Sequence, residues 1–432
     1  MISPASQKAA LSRDKIATYS QYDALPVFVR NNHFSKAEWL TLKSAAKIIP
    51  FKTNDYIISE LIDWKAVPND PVFRMNFPEP KLLHETDLAT MRQLYLSNSD
   101  SAIVDATCQQ IQHRMISALR SDTHRGIPFI DGKPAIGIFH NFAHAVFLFP
   151  DIICSCFAHC NYCMRWVKQI RTAPQFTYRD PEYPVSYLKF AKSASDVIFS
   201  GGDAFNASAG NLRRYVDPII KIPHLRTIRF STRVLSWRPT RFTTDSDADS
   251  LLRLLDDIAS SGRHVAVMAH LCHPAELSTP TVERAVSRIR STGAVIRGQG
   301  TLLKQVNDSP ETLASLWHRE VQLGIVPYYL FLESQEGMKP IYKNSFKEAL
   351  TIFKKAYAQV GGLEKTVRGP VLNTSAMKLL VDDKITVNGT EQLLLKCLHS
   401  ETPSEIGKKA IAPLNLQQKY RDVINYFRKK MF

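Results

Sequence analysis

The sequence predicts an α/β protein in which a partial, open barrel of six βα units lies between a helical N-terminal region and a small C-terminal α+β extension. Two observations lead to this prediction. Short runs rich in β-branched and aromatic residues alternate with amphipathic segments between residues 141 and 335. Parallel strands need crossovers of this kind. The flanking stretches lack that alternation, so we expect units at 1–140, 141–335 and 336–432.

The N-terminal unit is predicted to consist of helices joined by loops. Amphipathic segments such as SKAEWLTLKSAAKIIP alternate with stretches rich in Pro, Asn and Asp, such as VPNDPVFRMNFPEPK. This composition is typical of short helices with irregular connections. We find no evident chemistry in this unit.

The central unit carries the barrel prediction. Its β-rich runs are DVIFSGGD, LRTIRFSTRV, HVAVMAHL, AVIRGQG and VPYYLFL, each followed by a helical pattern. Gly262, Gly293 and Gly324 follow helical segments, where left-handed C-caps are expected. In barrels of this type the functional side chains lie at the carboxyl ends of the strands.

The C-terminal unit begins with one more helical segment, NSFKEALTIFKKAYAQVGG. After it, RGPVLNTSAMKLLVDDKITVNG has the pattern of a β element. Asn388-Gly389 is a strong signal for a tight turn between antiparallel strands. The sequence therefore predicts a small helix-plus-hairpin extension.

Charge and hydropathy restrict the class of protein. The formal net charge is +15, but Lys and Arg are spread along the chain rather than gathered in one basic arm. Nucleic-acid binding is therefore not expected, although an anionic partner is favoured. No apolar run reaches the roughly 18 to 20 residues of a membrane span, and no signal-peptide core is evident. We expect a cytoplasmic protein without membrane contact.

Four of the seven cysteines fall within ten residues, in PDIICSCFAHCNYCMRW. The spacing Cys156-x3-Cys160-x2-Cys163 allows three thiolates to hold a 4Fe-4S cluster whose fourth iron has no protein ligand. That iron can bind S-adenosylmethionine and deliver the electron that cleaves it, and Cys154 is expected to lie off the cluster. The alternative is a zinc site in a basic nucleic-acid-binding protein, because Cys160 and Cys163 also have the spacing of a zinc half-site.

A second signal follows the apolar run VIF. Ser200-Gly201-Gly202-Asp203 places a glycine pair and a carboxylate at the end of a predicted strand. Glycines there let the backbone come close to a ligand, and a carboxylate can accept hydrogen bonds from an ammonium group. We expect this turn to bind the methionine end of S-adenosylmethionine.

Several motifs together resemble the lysine 2,3-aminomutase family of radical S-adenosylmethionine enzymes. They occur in the family's order: SELIDWKAVPNDPVFRMNFP, FPDIICSCFAHCNYCMRW, VIFSGGDAF, IRFSTRV, MAHLCHPAEL, IRGQGTLLKQVNDSPETL, VPYYLFL and RGPVLNTSAMKLL. The resemblance implies a partial barrel of the radical S-adenosylmethionine type, a 4Fe-4S cluster, S-adenosylmethionine and pyridoxal 5′-phosphate. It also implies migration of an amino group from C2 to C3 of an amino acid.

The resemblance assigns roles to individual residues. Arg165 would grip the substrate carboxylate, and Lys378 would carry pyridoxal phosphate. The residues expected to face the cofactors are Tyr162, Ser200, Gly201, Gly202, Asp203, Thr232, His270 and Gln299. The implied partners are a small amino acid or related carboxylate and an electron donor such as flavodoxin or ferredoxin, and a homo-oligomer is compatible.

Three departures from the family pattern bear on function. The stretch Asn373 to Lys378 contains no glycine, and Leu148 to Ile152 lacks the family's phosphate-binding arginines. Another cation would have to hold a phosphate, and the candidates are His144, Arg368 and Lys304. The pair of acidic residues that would bind the side-chain ammonium group of a lysine substrate is also missing. Glu333 lies at a shifted position. We therefore expect a substrate other than lysine, and the alternative is a pyridoxal-independent radical enzyme that performs hydrogen abstraction, dehydrogenation or elimination.

Overall fold

A computed structural model describes residues 16–117, 126–170, 176–334, 336, 338–416 and 420–432. Among them, five helices, a π-helical turn at Ile57–Leu61 and two short strand pairs precede the main sheet. They are α1 (Val27–Asn32), α2 (Lys36–Ile48), α3 (Pro71–Asn76), α4 (Glu85–Leu96), α5 (Ser101–Ser117), β1 (Thr18–Tyr19), β2 (Thr53–Asn54), β3 (Phe129–Ile130) and β4 (Lys133–Pro134). Ser35 and Glu38 form a capping box that starts α2, as their spacing favours.

Eleven strands form one sheet in the described part of the chain, and their spatial order is their chain order. They are β5 (Ile138–Phe142), β6 (Ala145–Leu148), β7 (Asp196–Phe199), β8 (Thr227–Thr232), β9 (His264–His270), β10 (Val295–Leu302), β11 (Val326–Leu332), β12 (Arg368–Asn373), β13 (Met377–Val387), β14 (Thr390–Ser400) and β15 (Lys409–Pro413). Strands β6 to β12 pair in parallel. The pairings at both ends of the sheet are antiparallel.

Helices connect the parallel strands and cover one face of the sheet. They are α6 (Tyr183–Phe190), α7 (Ala209–Ile220), α8 (Val234–Trp237), α9 (Ala248–Ser260), α10 (Pro280–Arg290), α11 (Pro310–Leu323) and α12 (Phe346–Tyr357), and α13 (Tyr420–Lys430) follows the last strand. The side chains of β8 alternate in burial: Ile228 and Phe230 are buried, whereas Arg229 and Ser231 are only partly covered. This period of two separates a helix-covered face from a more open one.

The predicted α/β alternation is present, and the sheet extends beyond the predicted central unit. Six parallel strands lie between residues 145 and 332, and a seventh, β12, comes from the predicted C-terminal unit. The antiparallel strands β13 to β15 then continue the same sheet. Asn388 and Gly389, which both have positive φ, form the turn between β13 and β14. That turn lies where the sequence predicted it.

The sheet curls so that its β5 edge meets the region of β13 and β14. The side-chain amide of Asn141 on β5 donates to the carbonyl of Ser375, just before β13. The rings of Phe142 and His399, on β5 and β14, lie 6.0 Å apart. The uncovered face is therefore the inside of an almost closed barrel. Among the described helices, none combines the length and apolar character that crossing a membrane would require.

Candidate active site

The loop that follows β6 brings the three predicted cluster cysteines together. The thiol of Cys156 interacts electrostatically with those of Cys160 and Cys163. Burial raises the pKa of Cys156 and of Cys160 well above the usual range of a thiol. No three His, Cys, Asp or Glu side chains in the described ranges lie close enough to hold a single metal ion. Three thiols on one loop fit a 4Fe-4S cube, in which each thiolate binds a different iron.

The glycine turn after β7 packs directly on this loop. The amides of Gly202 and Asp203 donate to the carbonyl of Ile153 at 2.9 and 3.1 Å. A Cβ atom on Gly202 would lie 2.5 Å from the carbonyl oxygen of Ser155. The glycines therefore do allow a close approach, and the backbone that approaches in this structure is that of the cysteine loop.

Asp203 connects the glycine turn to the end of β8. Its carboxylate accepts hydrogen bonds from the hydroxyl of Thr232 at 2.7 Å and from the amides of Arg233, Val234 and Phe205 at 2.6, 3.2 and 3.0 Å. Burial raises the pKa of Asp203 to about 6, while these donors oppose the shift. The predicted pair Asp203 and Thr232 thus lies in direct contact at the carboxyl ends of neighbouring strands.

Arg165 lies beside the cysteine loop and the glycine turn. Its Nη1 donates to the hydroxyl of Ser200 at 2.9 Å and to the carbonyl of Gly201 at 3.0 Å. The guanidinium also lies 5.5 Å from the centroid of the Phe149 ring. Neither Nε nor Nη2 makes a hydrogen bond to a described residue, so that edge of the guanidinium is available to a ligand.

Tyr162 and His270 form a stacked pair under the cysteine loop. Their ring centroids are 5.9 Å apart, and the Tyr162 hydroxyl lies 3.0 Å from Nε2 of His270 and 3.2 Å from Sγ of Cys272. Burial lowers the pKa of His270 well below its usual value, and Arg233 lowers it further. The imidazole is therefore neutral at physiological pH.

Sequence reasoning missed a buried ion pair behind Tyr162. Arg233 donates from Nη1 to the Tyr162 hydroxyl and from Nη2 to Oε1 of Glu276 at 2.8 Å. Glu276, which is fully buried, also accepts from the amide of Cys272 at 2.7 Å. The available signal was position: Arg233 follows Thr232 at a strand end, and Cys272 and Glu276 follow His270.

Gln299 lies next to the other predicted polar positions. It is the register partner of His270 on β9 and of Tyr329 on β11. Thr232 aligns with Ala269 on the same β9 strand. Thr232, His270 and Gln299 therefore lie on three adjacent strands, as their order in the sequence predicted.

Lys378 lies inside the curled sheet. Its Nζ is 4.8 Å from the centroid of the Tyr329 ring and 5.7 Å from that of Phe331. Burial lowers the pKa of Lys378 to about 8, and the charges of Arg229 and Arg368 add to the effect. A fraction of this amine is therefore neutral at physiological pH, which suits a lysine that must react with an aldehyde.

Comparisons with known proteins agree with the sequence motifs. A putative L-lysine 2,3-aminomutase of Aquifex aeolicus is 24% identical over 327 residues, which are 76% of this chain and 76% of the relative. The L-lysine 2,3-aminomutases of Methanococcus maripaludis and Escherichia coli are 25% and 27% identical, over 76% and 48% of this chain. In these two the match spans 65% and 58% of the relative. The chain is therefore similar in sequence to lysine 2,3-aminomutases over up to three quarters of its length.

Two further comparisons do not extend this sequence similarity. No protein-family model matches the chain. The solved structure described as native anSMEcpe with bound AdoMet aligns with a TM-score of 0.37 at 11% identity, covering 50% of this chain and 59% of that one. That similarity is too low to establish a shared fold.

Proposed function

We propose that the chain is a radical aminomutase that moves an amino group from C2 to C3 of an amino acid other than lysine. The observation that carries this proposal is the environment of Lys378. A partly buried amine with a pKa of about 8 lies inside the curled sheet that also supports the cysteine loop. Such an amine suits attachment of an aldehyde cofactor, which a structural surface lysine would not.

Cys156, Cys160 and Cys163 would hold the cluster, and the turn from Ser200 to Asp203 would lie beside it. When bound, the cluster and S-adenosylmethionine together supply a 5′-deoxyadenosyl radical. Tyr162, which is buried, and His270, which is partly buried and stacks on it, would close the inner side of this pocket. Their packing would keep water away from a reactive intermediate.

Arg165 would orient the substrate. Its Nη1 is fixed by Ser200 and Gly201, and its remaining donors make no hydrogen bond to a described residue. A guanidinium held by one nitrogen can still bind a carboxylate through the other two. Lys378 would hold pyridoxal phosphate, which when bound supplies the aldehyde that keeps the migrating nitrogen attached.

The charges near Lys378 argue against lysine as the substrate. The nearby carboxylate of Asp196 already accepts hydrogen bonds from Nε and Nη2 of Arg229. An additional substrate ammonium would therefore meet cations without a free carboxylate partner, which is costly away from water. A neutral or acidic side chain would avoid that cost.

The test begins with anaerobic purification and reconstitution. We expect about four irons and four sulfides per chain, release of 5′-deoxyadenosine from S-adenosylmethionine, and a pyridoxal phosphate adduct on Lys378 that borohydride fixes and peptide mass spectrometry locates. Lys378→Ala should abolish the adduct. Lys384→Ala should retain it, because Lys384 on the same strand pairs with Glu391 at 2.7 Å near the surface. An amino-acid panel, with lysine as the comparison, then identifies the substrate.

Two results would contradict the proposal in different ways. Zinc without iron or sulfide would exclude the radical chemistry and return the chain to the zinc-site alternative. A complete cluster without any borohydride-fixed adduct would leave a radical enzyme but remove pyridoxal phosphate and the role of Lys378. The missing arginines before the cysteine loop favour that second candidate.

A further inference from the structure

The guanidinium of Arg233 is buried where several parts of the chain meet. The side chain is 9% exposed, and its Cζ lies 3.8 Å from the centroid of the Trp237 ring, on α8. Nη1 donates to the hydroxyl of Tyr162 in the cysteine loop. Nη2 donates to Oε1 of Glu276 at 2.8 Å and lies 3.4 Å from Sδ of Met75, on α3. The guanidinium therefore contacts the cysteine loop, the loop after β9 and the N-terminal region at once.

One donor of this guanidinium is unused. Nε of Arg233 is buried and makes no hydrogen bond to any residue that the structure describes. A buried N–H group without an acceptor is unfavourable, and such groups are rare in folded proteins. A bound group that accepts from Nε would explain why this donor is kept.

The charge of Arg233 acts on the nearby cysteine loop. It opposes the rise in the pKa of Cys160 that burial causes, and its effect is larger than the opposite effect of the Glu276 carboxylate. A guanidinium stays charged throughout the physiological pH range. The thiol of Cys160 therefore has a net positive neighbour, although Arg233 is ion-paired.

Stability alone does not explain the ion pair. Arg233 and Glu276 are both withdrawn from water, and the desolvation of two charges offsets much of their attraction. Apolar side chains of similar size often stabilise a fold as well or better. Glu276 is also fixed by the amides of Cys272 and His273, which donate to its Oε2 at 2.7 and 3.0 Å. The pair is thus a rigid charged group beside the cysteine loop.

We propose that Arg233 is a positioning residue of the cluster site, which keeps a positive charge and an unused N–H donor beside Cys160 and thereby favours reduction of the bound cluster. Three thiolates give the oxidised cluster a net negative charge, and one electron from a low-potential one-electron carrier makes it more negative. The carrier is oxidised, the cluster is reduced and no proton moves. A nearby cation and hydrogen bonds to the sulfurs both stabilise the reduced form.

This inference rests on the cluster of the proposed function and not on pyridoxal phosphate. The test is a redox titration of the reconstituted cluster, followed by electron paramagnetic resonance without S-adenosylmethionine or substrate. Glu276→Gln keeps the cation and removes the opposing charge, so the ratio of reduced to oxidised cluster at a fixed potential should rise about tenfold. A tenfold change is about 59 mV for one electron.

The double variant Arg233→Met, Glu276→Gln removes both charges and the unused donor. Its ratio of reduced to oxidised cluster should fall about tenfold below that of the wild type, which is about 59 mV in the other direction. Arg233→Lys keeps the charge but lacks the Nε donor, so its potential should lie between those of the wild type and the double variant. This variant also tests the residue if the double variant does not fold.

Asp247→Asn is the matched control for Glu276→Gln. Arg241 is buried like Arg233, and its Nη1 lies 2.6 Å from Oδ1 of Asp247. Neither member of this pair is among the groups whose charges act most strongly on Cys160. The control should therefore keep the wild-type potential. Iron, sulfide and the denaturant midpoint of unfolding are measured for every variant.

The outcomes separate this inference from the proposed function. A purely structural Arg233 would change iron content or stability without moving the potential in opposite directions in the two variants. If Glu276→Gln and the double variant keep full iron content and have the wild-type potential, or shift it in the same direction, the inference is wrong and the cluster remains. Zinc in place of iron in the wild type would overturn both.

Discussion

The side chain of Lys378 shows what a single residue's surroundings can add to its sequence position. The stretch before it has no glycine, so the motif alone says little about the amine. The structure places that amine between Tyr329 and Phe331 and under the influence of two arginines. Arg229, Tyr329 and Phe331 come from strands that are remote in sequence, whereas Arg368 lies on the preceding strand. No local pattern could have predicted the lowered pKa.

This pKa makes a prediction about the reactivity of Lys378. A lysine with a pKa of about 8 has a neutral fraction at pH 7 that is on the order of a few hundredfold above that of an ordinary lysine. Its acylation by a small amine-reactive reagent should therefore rise between pH 7 and 9 and level off above that range. Quantitative mass spectrometry of the Lys378 peptide measures this profile.

Lys384, which lies on the same strand and pairs with Glu391, provides the internal reference in the same experiment. The modification of Lys378 should become constant at a lower pH than that of an ordinary lysine side chain. A Lys378 profile that follows the profile of Lys384 would show that burial and the two arginines do not act on the amine as described. That result would also weaken the observation on which the proposed function depends.

The turn after β7 contacts both the cysteine loop and the end of β8, which together form the candidate cofactor site. The sequence predicted that Gly201-Gly202 lets the backbone approach a ligand, and the structure shows these glycines close to the cysteine loop. The sequence could not show which backbone approaches, because the cysteine loop lies some forty residues earlier in the chain. The contact with Ile153 and Ser155 depends on the parallel pairing of β6 with β7.

Gly202→Ala should displace the cysteine loop. The added Cβ would lie 2.5 Å from the carbonyl oxygen of Ser155 and 2.6 Å from that of Cys154. The backbone of Cys154 and Ser155 cannot move without shifting Cys156, which is a predicted cluster ligand. We expect a marked loss of iron and sulfide per chain after reconstitution, with secondary structure retained in circular dichroism.

Gly210→Ala is the control for this substitution. Gly210 lies near the start of α7, and a Cβ atom there would meet no atom within 4 Å outside its own helical turn. Alanine there should keep full iron content and change the free energy of unfolding by no more than about 1 kcal/mol. Normal iron content in Gly202→Ala would mean that the glycine turn does not support the loop.

Other elements differ in how far the sequence predicts them. Strands β7 to β11 and the helices between them follow from alternating patterns, and Gly262, Gly293 and Gly324 all have positive φ as expected of helix ends. The hairpin around Asn388 was also predictable. Its membership of the main sheet was not, because pairing between β12 and β11 depends on a crossover whose direction the local sequence does not encode.

At the scale of the whole molecule, the N-terminal region packs against the candidate active site. The amide of Asn161, in the cysteine loop, donates to the carbonyl of Met75 at 2.8 Å. Its side-chain amide donates to the carbonyls of Arg74, at 2.8 Å, and Phe77. The sequence suggested no chemistry for α3, since its contribution consists of backbone carbonyls at the end of a helix.

Asn161→Ala should destabilise both the end of α3 and the cysteine loop. The substitution removes the hydrogen bonds to the carbonyls of Arg74 and Phe77. The Arg74 carbonyl keeps the Tyr342 hydroxyl as a donor, whereas the buried Phe77 carbonyl loses the Asn161 donor at a cost of about 1 to 3 kcal/mol. Hydrogen exchange should therefore accelerate at residues 74–77 and at 156–163 to the same extent. Asn211→Ala, at an exposed position on α7, should leave both segments unchanged.

A different result would show that the end of α3 and the cysteine loop are not coupled. If exchange accelerated only at residues 74–77, the cysteine loop would be held by the barrel alone. The N-terminal region would then pack on the cysteine loop without stabilising it. Unfolding in denaturant, followed by fluorescence and by loss of iron, provides a second measure of the same coupling.

The chain order of the eleven strands has a consequence for biosynthesis. Each strand leaves the ribosome after the neighbour on which it pairs, so the sheet can grow from β5 onward without waiting for a distant segment. The cysteine loop and the turn that supports it emerge well before Lys378. A nascent chain therefore contains the proposed cluster site before Lys378 is synthesised, so the two proposed cofactor sites are completed one after the other during translation.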